Sequence, residues 1–165
     1  MSTKVNHSAL RIRKATEQDV PEILNFIREL AAYEKELSRV SASEAIIHEA
    51  LFGPKPHAKA VLVDLEGEPA AFAIYFFSFS SFSGLPNLYL EDIFVKPAYR
   101  GRGIGKALMA FLAEIANENS CGRMEWSVLN WNERSIQFYR QLGAEPVEDW
   151  TVFHLGKDVL TKLTN

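Results

Sequence analysis

The stretch D-I-F-V-K-P-A-Y-R-G-R-G-I-G-K-A-L-M, from Asp92 to Met109, joins an apolar strand to an amphipathic helix through a glycine-rich turn. Ile93, Phe94 and Val95 favour β structure, and Pro97, with no N–H to offer a ladder, stops the strand. Apolar residues then fall at Ile104, Ala107, Leu108, Phe111, Leu112 and Ile115, the stripe of one buried helix face, so a helix is expected to start near Gly103. Gly101, Gly103 and Gly105 allow positive φ and close approach of a ligand to backbone N–H groups. The helix dipole and the charges of Arg100, Arg102 and Lys106 suit a pyrophosphate, hence a diphosphate-bearing cofactor. A plain turn with a solvated basic rim is the alternative.

Spacing excludes two other phosphate-binding motifs. A dinucleotide G-x-G-x-x-G starting at Gly101 needs glycine where Lys106 stands, and a P-loop needs a hydroxyl where Ala107 stands. What remains, R-x-x-G-x-G from Arg100 to Gly105, resembles the acetyl-CoA loop of the GNAT N-acetyltransferase superfamily. The segments L-Y-L-E-D-I-F-V from Leu88, Y-R-G-R-G-I-G from Tyr99 and W-N-E-R-S-I-Q-F-Y-R-Q-L-G-A from Trp131 resemble its diamine acetyltransferase branch, which includes spermidine/spermine and thialysine acetyltransferases. Arg11 to Ala15 and the Leu30-Ala-Ala-Tyr33-Glu34 segment extend the likeness over nearly the whole chain.

The resemblance implies an α/β fold of mixed α+β type, a central, strongly twisted mixed sheet flanked by helices, with two splayed parallel strands holding acetyl-CoA. It implies direct acetyl transfer to the primary amine of a small molecule: a diamine, a polyamine or a thialysine-like amino acid. Carried over residue by residue, Ile93, Phe94 and Val95 offer backbone to the pantetheine arm, as in strand addition. Arg100, Gly101, Arg102, Gly103, Ile104, Gly105 and Lys106 hold the pyrophosphate, and Asn132, Ser135 and Tyr139 contact the cofactor. Tyr139 is the implied general acid, and Glu91 the carboxylate that aids amine deprotonation. Tyr33, Glu34, Phe82, Glu91, Asp92, Trp126 and Trp150 are the implied substrate-facing set. Polyamine-specific members carry an acid and a tryptophan where this chain has Ser81 and Phe82, which favours a short amine or a thialysine-like amino acid. A homodimer is also implied, through the region from Trp150 to Leu155. A non-catalytic acyl-CoA-binding module and a protein or peptide lysine acetyltransferase are the competing readings.

Residue spacing speaks to some of these roles independently. Asn132, Ser135 and Tyr139 share one helix face, although Asn132 is also a good N-cap and Tyr139 is also a packing residue. Glu91 and Asp92 are adjacent in a strand, so strict alternation sends them to opposite faces and only one is expected to line a site. Both also read as solvated acids near a strand end. Tyr33 and Glu34 read equally as a helix C-terminal surface, and Trp150 as core or dimer packing.

Whole-chain properties narrow the class. The 165 residues, 47% of them hydrophobic, suit a single domain spanning 1–165, with an ordered core from about residue 10. A net charge of −3 and no basic run beyond Arg100 to Lys106 argue against nucleic acid as partner. The lone Cys121 and the absence of a signal-like apolar N-terminus point to the cytoplasm, and the apolar run from Pro69 to Phe77 is too short for a membrane span. Four scattered histidines and no spaced Cys/His cluster argue against a bound metal.

Along the chain, a strand is expected over Leu10–Ala15 and a helix from Thr16 toward Lys35, opened by the capping-box spacing of Thr16 and Asp19. A second helix is expected over Ser43–Phe52, then strands over Ala58–Leu65, Pro69–Ser80 and Asn87–Lys96 as a meander. After the helix that follows Gly103, a strand over Arg123–Leu129, a helix over Asn132–Leu142 closed by Gly143 and a final strand over Val147–Leu155 complete the pattern.

Overall fold

The computed structural model describes residues 9–164. They form two compact units, the first through Ser127 and the second from Val128. The first holds strand β1 (Leu10–Lys14), helices α1 (Val20–Tyr33) and α2 (Glu44–Phe52), strands β2 (Lys59–Leu65), β3 (Glu68–Ser80) and β4 (Leu85–Val95), helix α3 (Ile104–Glu118) and strand β5 (Met124–Trp126). The second holds helices α4 (Glu133–Gln141) and α5 (Lys157–Leu163). The strand order is β1-β2-β3-β4-β5, antiparallel throughout except for the parallel β4–β5 pair. The expected mixed α/β sheet with flanking helices is therefore present.

The helix termini follow from local chemistry. The Asp19 carboxylate accepts hydrogen bonds from the Thr16 N–H at 2.7 Å and the Thr16 hydroxyl at 2.9 Å. The turn Glu17–Asp19 closes as a 3-10 turn instead of joining the α-helix, which begins at Val20 with Pro21 in its first turn. Arg13 reaches the same carboxylate at 2.7 Å and Asp64 at 3.1 Å, tying β1 and β2 to this corner. Helix α2 starts where the Ser43 hydroxyl accepts from the Ile46 N–H at 3.3 Å.

Helices α1 and α2 cover one sheet face, where Ile23, Phe26 and Leu51 pack on Leu62, Phe72, Ile74 and Phe94. Phe26 and Phe72 stack with ring centroids 5.0 Å apart, a contact worth about 1 kcal/mol beyond the area it buries. Helix α3 lies against β3 and β4 and buries Ile104, Leu108, Leu112 and Ile115, the stripe read from the sequence.

Two expected strands differ. The strand expected over Arg123–Leu129 is confined to Met124–Trp126. Residues 147–155 form no strand. Val147, Trp150, Val152, Phe153 and Leu155 are exposed there, Trp150 by 76%, so Trp150 is not packed in the core of this chain. The apolar residues of that stretch carry β propensity, but propensity becomes a strand only where an edge accepts it.

Candidate active site

The site is built where β4 outruns its parallel neighbour. Pairing with β5 runs from Leu88↔Met124 to Leu90↔Trp126 and ends there, whereas pairing with β3 continues to Ala71↔Val95. Asp92 to Val95 are thus laddered to β3 alone among the described strands, so the edge of this stretch turned from β3 has no strand beside it, and its Val95 carbonyl accepts from Arg100. This matches the splayed parallel pair that the resemblance implies.

The same strand carries a bulge. Ile74 pairs with Asp92 and Tyr75 with Leu90, leaving Glu91 as the extra residue. Strict alternation, on which Glu91 and Asp92 were expected to diverge to opposite faces, fails at this point. Leu90 shares the face of Tyr75, while Asp92 shares the face of Ile74, Phe72 and Phe94, beneath α1. Glu91 remains exposed. Burial, followed by the nearby charges of Glu91 and Glu34, pushes the Asp92 carboxyl up to about 6. Glu34 is itself raised, by burial and then by Glu36. The charges of Glu91 and Glu34 thus both act on the Asp92 carboxyl, an arrangement that suits a cation.

Glu34 caps a helix end of defined geometry. The Glu36 N–H donates to the Ala31 carbonyl at 2.8 Å and the Lys35 N–H to Ala32 at 3.1 Å, a Schellman pattern with Lys35 at φ 62° where glycine is usual.

Beyond Val95 a 3-10 turn, Pro97–Tyr99, leads into the glycine loop. Gly101 and Gly103 have φ of 75° and 79°, as the sequence reading requires, whereas Gly105 lies inside the first turn of α3. The Ala107 N–H donates to Gly103 at 3.0 Å as the first intrahelical bond, so the N–H groups of Ile104, Gly105 and Lys106 are those a helix start leaves without an intrahelical acceptor. Arg102 and Lys106 are exposed. Glycine conformation, open N–H groups and positive charge together fit a diphosphate.

Arg100 has other partners as well. Its Nε–H donates to the Val95 carbonyl at 2.8 Å, and its guanidinium carbon lies 4.8 Å from the Tyr33 ring centroid and 5.3 Å from that of Phe94. Tyr33 and Phe94 sit 6.3 Å apart at 55°. Sequence reasoning missed this stack, because Tyr33 and Arg100 belong to separate motifs with nothing local to relate them.

Tyr33, Glu34, Glu91, Asp92, the β4 edge and the loop are thus linked within the first unit. Trp126, half-buried, ends β5 opposite Leu90. Phe82 is not part of this group: it is 99% exposed on the β3–β4 turn, and the seven-residue step from Leu85 to Asp92 spans roughly 23 Å of strand. In the second unit, the Asn132 side chain caps α4 by accepting from the Ser135 N–H at 3.3 Å. Asn132 and Tyr139 are buried and Ser135 half-buried, so the three share the less exposed face.

Residues 23–144 match the acetyltransferase (GNAT) family. The chain is 37% identical over 163 residues to a thialysine N-epsilon-acetyltransferase of Bos taurus, covering 92% of this chain and 95% of that one. It is 34% identical over 160 residues to spermidine/spermine N(1)-acetyltransferase-like protein 1 of Homo sapiens, covering 91% of this chain and 23% of that one. An integron cassette protein from the mobile metagenome of V. cholerae superposes with a TM-score of 0.79 at 25% identity, over 94% of this chain and 98% of its own. By this family match over most of its length and this likeness to a named acetyltransferase, the chain belongs to the GNAT family and is an N-acetyltransferase.

Proposed function

We propose that this single acetyltransferase domain moves an acetyl group from acetyl-CoA to the primary amine of a small molecule, a diamine, a polyamine or a thialysine-like amino acid. The observation that carries the reading is the cluster of Glu34, Glu91 and Asp92 beside the unpaired edge of β4 and the anion-binding loop. A carboxyl disfavoured by burial and by neighbouring negative charge, as Asp92 is, suits an ammonium, and open helix N–H groups with Arg102 and Lys106 hold a diphosphate. The names of the relatives in thialysine and spermidine/spermine acetylation support the acceptor class.

When bound, acetyl-CoA supplies the acetyl thioester. Ile93, Phe94 and Val95 hold its arm through backbone pairing, the loop from Arg100 to Lys106 its diphosphate, and Asn132 and Ser135 further cofactor contacts. A free strand N–H stabilises developing negative charge on the carbonyl oxygen. Neutralising an aliphatic ammonium near pH 7 costs about 4 to 5 kcal/mol from its reference pKa of ~10.4. Asp92, with the charge of Glu34 acting on it, positions the ammonium, and exposed Glu91 takes its proton toward solvent. The Tyr139 hydroxyl is the general acid for the leaving thiolate.

No helix among the described residues is long and apolar enough to cross a membrane. We assign the chain to the cytoplasm, as a homodimer that covers the exposed apolar residues Val152, Phe153 and Leu155, with Trp150. Thiol release from acetyl-CoA with putrescine, spermidine, spermine, lysine, thialysine and a lysine peptide tests the acceptor class. Turnover with the short amines or thialysine is expected, and turnover with the peptide alone refutes the reading.

A further inference from the structure

The segment that joins β4 to the glycine loop is fastened along one stripe of α1. Glu22, Phe26, Glu29 and Tyr33 recur at helical spacing and face it. Lys96 Nζ lies 2.9 Å from Glu22 and 3.9 Å from Glu29, and 4.6 Å from the Phe26 ring centroid. Arg100 takes the last position of the stripe, with its guanidinium carbon 4.8 Å from Tyr33, while its Nε–H closes the turn onto Val95 at 2.8 Å. Two cations thus tie the cofactor loop to the helix that ends in Glu34. The second tie is the informative one, because Arg100 belongs to the loop by sequence and to the acceptor side by contact.

We propose that Arg100 is a positioning residue that couples cofactor binding at the loop to amine binding at the end of α1, through the Tyr33 ring. The coupling rests on the acceptor and cofactor assignments proposed above. Ordering the loop fixes Arg100 and therefore Tyr33 and the turn that presents Glu34; by linkage, an amine held at that end tightens cofactor binding by the same factor. Cation–π contacts at exposed sites set the scale of the effect at roughly twofold to fivefold.

Hydrogen exchange of the full chain with CoA as probe, paired with thialysine kinetics, tests this. In the wild type, CoA is expected to slow exchange over residues 97–106 and also over 30–36. Arg100→Lys keeps the charge but loses the flat guanidinium. In that variant slowing over 97–106 should persist, slowing over 30–36 should vanish, and the thialysine KM should rise about fivefold, more than the CoA Kd. Tyr33→Leu should reproduce this loss, Tyr33→Phe should keep the slowing over 30–36, and Arg100→Lys combined with Tyr33→Leu should be no worse than either alone. Slowing confined to 97–106 in the wild type, or slowing over 30–36 that survives Arg100→Lys, overturns the coupling. No slowing anywhere with CoA is a different failure: it overturns the cofactor assignment and the coupling with it.

Discussion

Asp92→Asn should stabilise the unliganded protein, by an amount that depends on pH. The carboxyl is raised from an ordinary 3.8 to about 6, first by burial and then by Glu91 and Glu34, which corresponds to roughly 3 kcal/mol at 1.36 kcal/mol per pKa unit. Because the folded value lies above the unfolded one, the native state binds the extra proton between these values. The wild type therefore loses stability as pH rises from 3.8 through 6, and the asparagine variant does not lose this part. The two proteins should be nearly equal at pH 3.5. By pH 8 the variant should lead by about 3 kcal/mol, or roughly 6 to 12 °C in Tm for a chain of this size. Urea unfolding across this range, extrapolated linearly, measures the difference. An ammonium ligand such as putrescine should narrow the gap at pH 8 by stabilising the wild-type carboxylate, and kcat/KM should fall at least tenfold in the variant. A stability difference that stays flat with pH, or a variant less stable at pH 8, refutes the placement of Asp92 among buried and like-charged neighbours.

Other substitutions probe the remaining parts. Tyr139→Phe should lower kcat by about 10² while leaving the CoA Kd within twofold, the signature of a lost general acid, read from steady-state kinetics and calorimetry. Gly103→Ala places a side chain at φ 79° with nothing within 4 Å of its Cβ, so backbone conformation alone should cost about 1 kcal/mol and weaken CoA binding, measured by unfolding and titration. Asp19 is held at about 2 first by the Arg13 hydrogen bond, so Asp19→Asn should cost about 1 kcal/mol at pH 7 after solvent screening. Its folded pKa lies below the unfolded one, so this loss should shrink as pH falls from about 4 toward 2, as seen by acid unfolding of both proteins.

The sequence by itself determined the strand, glycine turn and helix that make the loop. Each is set by residues within a few positions of one another: Pro97 as the stop, glycine at the positive-φ positions 101 and 103, and the apolar stripe from Ile104. The Ser43 cap, the corner at Thr16 and Asp19 and the close of α4 before Gly143 were legible for the same reason, since cap chemistry is local. Tertiary structure alone decided the relation of the two adjacent acids. The bulge at Glu91 is a property of the offset between β3 and β4, and it turned Asp92 beneath α1, where burial and Glu34 act on it. Likewise β5 stops at Trp126 and residues 147–155 form no strand, although both stretches carry β propensity, because that propensity is weak beside tertiary context. The second commitment of Arg100, to Tyr33 and Phe94, follows from packing α1 against the end of β4, a long-range contact that no local pattern encodes.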